Sequence, residues 1–81
     1  MNIKQTQKNS NLIENLKLSV KSYNCLKRAG YNTISEVAAI ADIEQIKKIK
    51  HLSPDNIAEI AEQLHSLGIL GTSWDLMKNG L

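Results

Sequence analysis

Signals that start a helix recur along this chain at short intervals. Ser19, Thr33, Asp42 and Ser53 each place a short polar side chain where it can accept a hydrogen bond from an N–H one turn on, and each precedes apolar residues at helical spacing. A chain restarted this often has no room for long helices, and strand-type alternation is scarce between the starts. The pattern predicts an all-α fold, a compact bundle of four to five short helices.

The first helix is expected from the Ser19 cap to about Ala29, with Gly30 supplying the left-handed residue just beyond its end. Thr33-Ile34-Ser35-Glu36 has the form of a capping box and opens a helix that turns Val37 and Ile40 inward. Asp42-Ile43-Glu44-Gln45 repeats that device before a stripe of Ile43, Ile46 and Ile49. Ser53-Pro54 is the clearest start of all: a cap, then proline where its missing N–H is no loss, then Asp55 in the positive first turn. Ile57, Ile60, Ala61, Leu64 and Leu67 follow on one face, and Gly68 ends the helix with Ile69 folding back. Residues 1–11 are polar and aperiodic and read as a disordered arm, residues 12–70 as the folded domain, and residues 71–81 as a tail. Within that tail, Ser73 to Lys78 suits a short helix laid on the body through Trp74 and Met77.

Eighty-one residues hold one domain, too small for a two-domain enzyme. Cys25 is the only cysteine, and with His51 and His65 it forms no zinc spacing, so no disulfide, metal or other cofactor is expected. Neither histidine lies in a catalytic motif and no glycine-rich phosphate loop is present, which points away from an enzyme. The longest apolar run, Val37 to Ala41, is five residues against the roughly 20 that cross a bilayer. The lysines near the start precede no apolar stretch of signal type, so a cytoplasmic protein is expected. Charge is unevenly spread: nine of the ten lysines and arginines lie in residues 1–50 with four acids, whereas residues 51–81 hold Lys78 against Asp55, Glu59, Glu62 and Asp75. The basic part can collect phosphates; the acidic part repels them and suits a protein partner.

Wound on a helical period, the first helix carries Val20, Tyr23 and Leu26 on one side and Lys21, Asn24, Cys25 and Arg28 on another. Two cations and an amide on one outward stripe can reach phosphates and groove edges, though the same spacing also suits a plain solvated face. Lys47, Lys48 and Lys50, just before Ser53, are further candidate phosphate contacts. Asp55, Glu59 and Glu62 read as an acidic stripe opposite the core face of their helix.

The run Leu16-Lys17-Leu18-Ser19-Val20-Lys21-Ser22-Tyr23-Asn24-Cys25-Leu26-Lys27-Arg28-Ala29-Gly30 resembles the start of the C-terminal domain of the bacterial RNA polymerase alpha subunit. The likeness continues through Asn32-Thr33, Ile46 to Leu52, Ile57 to Ile60 and Leu67-Gly68. It implies a bundle with a helix-hairpin-helix element that binds A·T-rich promoter DNA across the minor groove and contacts sigma factor and activators. A free-standing copy, without the family's polymerase-assembly domain and linker, is expected. On the matching positions, Asn24, Cys25 and Glu59 carry the family's DNA-contacting residues, and Lys21 stands where the family has arginine. The family's Leu-Gly-basic-Lys-Ser run reads Leu52-Ser53-Pro54-Asp55-Asn56 here, which removes an N–H and adds a negative charge where phosphate would sit. The sigma-facing acidic patch reads Glu14, Asn15 and Lys17.

Two functions follow. The first is a non-enzymatic transcription-associated module that binds A·T-rich double-stranded DNA weakly through Lys21, Asn24, Cys25 and Arg28. The second is an adaptor that mimics or competes with the polymerase domain for a polymerase or activator surface. Trp74, Leu76, Met77 and Leu81 add the option of self-association through the tail.

Overall fold

The computed structural model describes residues 11–80; the expected polar arm lies outside the described residues except for Asn11. Asn11 belongs to the fold: its carbonyl accepts from the Ile34 N–H at 2.7 Å, and its side-chain oxygen accepts from the Ser35 N–H and hydroxyl at 3.3 and 3.0 Å. A 3-10 turn, Ile13–Asn15, is followed by α1 (Val20–Arg28), α2 (Ile34–Ala38), α3 (Ile43–Lys47), α4 (Pro54–Ser66) and α5 (Ser73–Gly80). Extended pairing among the described residues is confined to one isolated antiparallel bridge, Leu12 with Thr33. The chain is an all-helical bundle, with α3, the turn after it and α4 forming the hairpin.

The starts form where the sequence places them. Ser19 accepts from the Ser22 N–H, and Thr33 and Glu36 complete a reciprocal box. Hydrogen bonds from the Asn32 and Thr33 N–H groups hold the Glu36 carboxyl below its ordinary range. Asp42 differs from expectation, because it accepts from the Glu44 N–H at 2.9 Å and Gln45 completes no box. The box appears instead at Ser53, where Asn56 bonds back to the Ser53 N–H at 3.2 Å. Two helix ends close alike. Gly30 and Gly68 take φ of 94° and 82°, and the next N–H in each case returns to the last turn, Tyr31 to the Leu26 carbonyl and Ile69 to that of Leu64, both at 2.9 Å.

The core joins Ile13 and Leu16 to Leu26, Ile34, Val37, Ile40, Ile46, Ile49, Ile60, Ala61 and Leu64, and Trp74 of α5 is buried completely among them. Its indole N–H donates to the Val37 carbonyl at 2.9 Å, tying α5 to α2. Helix α5 packs on α4 and α3, and α1 packs on α4. Trp74 is therefore enclosed within the fold and offers nothing to self-association; Leu76 stays exposed, Met77 is half-buried, and Leu81 lies outside the described residues.

Helix α1 is rotated from its expected phase. Its buried residues are Ser22, Cys25 and Leu26, Tyr23 is only partly covered, and Val20 is 76% exposed. A serine replaces a valine in the core because its hydroxyl has partners there, as described below. Leu67, expected on the inner face of α4, is the cap residue and points largely to solvent.

Candidate nucleic-acid interface

Where α1 crosses α4, a polar cluster fixes the two helices. The Ser22 hydroxyl, fully buried, donates to Glu59 at 2.5 Å and accepts from the Asn56 amide at 2.9 Å. Glu59 also accepts from the Ser19 hydroxyl at 3.0 Å and from the Ser19 N–H. Partial burial pushes the Glu59 carboxyl up, but the bonds from Ser22, Ser19 and Asn56 outweigh it and its pKa falls below the ordinary value. A carboxylate at the positive end of α1 is also favoured by the helix dipole. Glu59, expected as a DNA contact and as part of an outward acidic stripe, is instead turned toward α1, with its acceptor sites taken by internal donors.

The cations beside this cluster are arranged in the opposite way. Lys21, Asn24, Cys25, Arg28 and His51 line a shallow depression of about 410 Å³, and Cys25, Arg28, Ala29, Lys48, Lys50 and His51 line a second of about 370 Å³. The two share Cys25, Arg28 and His51, so the polar face of α1 and the hairpin turn form one surface. No carboxylate lines either depression. Among the described residues, the side chains of Lys21, Arg28, Lys48, Lys50 and His51 make no hydrogen bond or ion pair. Lys27, Lys47 and Lys78 do, with Glu14, Glu44 and Glu62. Cys25 departs from the expected stripe. It is 2% exposed and bounds the surface from the core side, because the rotation of α1 carries it inward.

A family model describing the C-terminal domain of the bacterial RNA polymerase alpha chain matches residues 1–66. The protein belongs to this family. The DNA-directed RNA polymerase subunits alpha of Alkaliphilus oremlandii and Symbiobacterium thermophilum are each 46% identical to it over 57 residues, and that of Clostridium perfringens 44% over the same length. Each match covers 70% of this chain and 18% of the relative, so the chain spans less than a fifth of the length of these curated relatives. No solved structure gives a significant match.

Within this alpha C-terminal-domain fold, the hairpin is rebuilt as a self-contained helix start. The Ser53 and Asn56 N–H groups bond to each other's side chains, and Pro54 has no N–H. Few donors are left to hold a phosphate. Glu14, Asn15 and Lys17, the residues expected at a protein interface, are all exposed, but Glu14 is engaged: it accepts from the Tyr23 hydroxyl at 2.6 Å, and Lys27 lies at 3.7 Å. The Tyr23 bond and the Lys27 charge hold its carboxyl below the ordinary range. Lys17 donates its backbone N–H to Gln63 at 3.2 Å, and Asn15 ends the 3-10 turn. Of the three hairpin lysines, Lys48 and Lys50 join the α1 surface, whereas Lys47 pairs with Glu44 at 3.3 Å and stays apart. Sequence spacing does not mark His51 as a phosphate contact. Its position beside a lysine run was the available signal, but only the tertiary fold brings it against α1.

Proposed function

We propose that this chain is a non-enzymatic, transcription-associated module that binds A·T-rich double-stranded DNA weakly through the polar face of α1. One observation carries the reading: four cations without ion-pair partners among the described residues, Lys21, Arg28, Lys48 and Lys50, line one continuous surface that no carboxylate enters. Exposed cations left unpaired beside one another repel, and a polyanion relieves that repulsion. Asn24 adds a donor and an acceptor for groove edges. Binding is weak because the hairpin N–H groups are occupied and Asp55 stands exposed beside them, and because an ammonium enters a narrow groove less readily than the guanidinium it replaces. Its partners are this DNA and the transcription machinery, in keeping with relatives that are alpha subunits of DNA-directed RNA polymerase.

Fluorescence anisotropy with an A·T-rich duplex tests this. Neutralising about four phosphates gives a slope of log K against log salt near −3 to −4. Absence of salt-dependent binding at low ionic strength, or undiminished binding by Lys21→Ala, overturns it. The self-satisfied hairpin favours a second reading, an adaptor competing for a polymerase or activator surface with little DNA binding. Recovery of polymerase or a regulator on affinity purification, without duplex binding, would select that reading.

A further inference from the structure

We propose that His51 makes DNA binding proton-linked: a protonated imidazole joins the cationic surface as an added phosphate contact, so the duplex is held more tightly as pH falls. The inference rests on the DNA-binding reading above and deepens it. His51 is exposed, has no side-chain partner among the described residues, and lines both depressions, so it sits where the α1 face and the hairpin turn meet. Its backbone is held at φ 70°, the left-handed conformation that histidine and asparagine tolerate better than most residues. The charged groups lining its surroundings are Lys21 and Arg28 from α1 and Lys48 and Lys50 from the turn before α4. With no carboxylate lining the surface, the group that can pair with an imidazolium there is an incoming phosphate. The ring takes its proton from solvent and donates it in a hydrogen bond to a phosphate oxygen, so each binding event takes up a fraction of a proton. An imidazole changes charge between about pH 5 and pH 8.

The other histidine is a built-in control. His65 of α4 faces Asp75 of α5 at 2.6 Å and lines neither depression. The fold persists across the window, because the carboxylates that tie its elements together, Glu59 and Asp75, titrate below their ordinary values.

The test is anisotropy with one A·T-rich duplex at fixed ionic strength, from about pH 8.5 to about pH 5.5, with Trp74 emission reporting folding at every step. The wild-type chain is expected to bind roughly 3- to 10-fold more tightly at the acid end, with the salt slope steeper by about 0.9. His51→Asn, which suits the left-handed backbone, is expected to bind at the wild type's alkaline level at every pH. His65→Asn is expected to keep the wild-type dependence. A wild type that binds equally at all pH values, or a His51→Asn variant that retains the dependence, overturns the proton linkage and leaves the DNA reading standing. Absence of binding at any pH overturns both.

Discussion

Two polar regions flank α1, and they treat their polar groups in opposite ways. At the crossing with α4, Ser22, Asn56, Glu59 and Ser19 satisfy one another, and the cluster is turned inward. On another face of α1, Lys21 and Arg28 share with Lys48, Lys50 and His51 a surface without partners among the described residues. Burial with mutual satisfaction makes the first region structural. Exposure of like charge leaves the second open to an outside partner, which is the basis of the proposed DNA contact. Function in a bundle this small is thus marked less by polar residues as such than by polar residues the fold leaves unpaired.

The contrast is broken most severely by Glu59→Ala, which strands the Ser22 hydroxyl and the Asn56 amide. A loss of about 2 to 3 kcal/mol is expected in urea unfolding followed by Trp74 emission. Duplex affinity of the fully folded variant is expected to change less than about two-fold. A larger fall in a folded variant would show Glu59 touching DNA after all. Acid comes next. The Glu59 and Asp75 pKa values lie below their ordinary 4.5 and 3.8, so their stabilisation is complete above those values and is lost as pH falls through the depressed ones. For Asp75, partial burial acts upward, and the bonds from His65, Gly71 and Thr72 overcome it. Glu59→Gln is expected to flatten the acid side of the stability profile without abolishing its slope, measured by urea midpoints between about pH 5 and pH 2.

The cationic region yields smaller effects in stability and larger ones in binding. Lys21→Ala and Arg28→Ala are each expected to weaken the duplex complex roughly 3- to 10-fold and reduce the salt slope by about 1. Their unfolding free energies should stay within about 0.5 kcal/mol of wild type. The smallest effect separates two neighbouring lysines. Lys48→Ala is expected to weaken binding like Lys21→Ala, whereas Lys47→Ala should shift affinity less than about two-fold, its charge being engaged with exposed Glu44. Equal losses from both would mean the duplex reads total charge rather than this surface.

What the sequence made legible was local. The caps at Ser19, Thr33 and Ser53 and the glycine ends at Gly30 and Gly68 rest on residues within a turn of one another, and the family was legible from runs matched position by position between Leu16 and Gly68. The phase of α1 was not legible, because hydropathy assigns Val20 inward and Ser22 outward, and the reversal depends on acceptors and donors more than thirty residues away. Pairing of His65 with Asp75 and insertion of Trp74 beneath Val37 likewise have no signature in either segment alone. For the site, Lys21, Asn24 and Arg28 followed from helical spacing, but the division of the lysines between Lys47 and Lys48, the inward turn of Cys25 and the arrival of His51 required the packed hairpin.

The clamp between Glu59 and the start of α1 has a mechanical corollary. Since the carboxylate grips Ser19 and Ser22 together, the charged face and the hairpin would meet a duplex as a die with a set spacing between its teeth. A die does not mould itself to the work. On the proposed reading, stiff, narrow-grooved tracts that already match that spacing would be gripped without being bent, and sequence preference would owe more to the elasticity of the nucleic acid than to the edges within reach of Asn24.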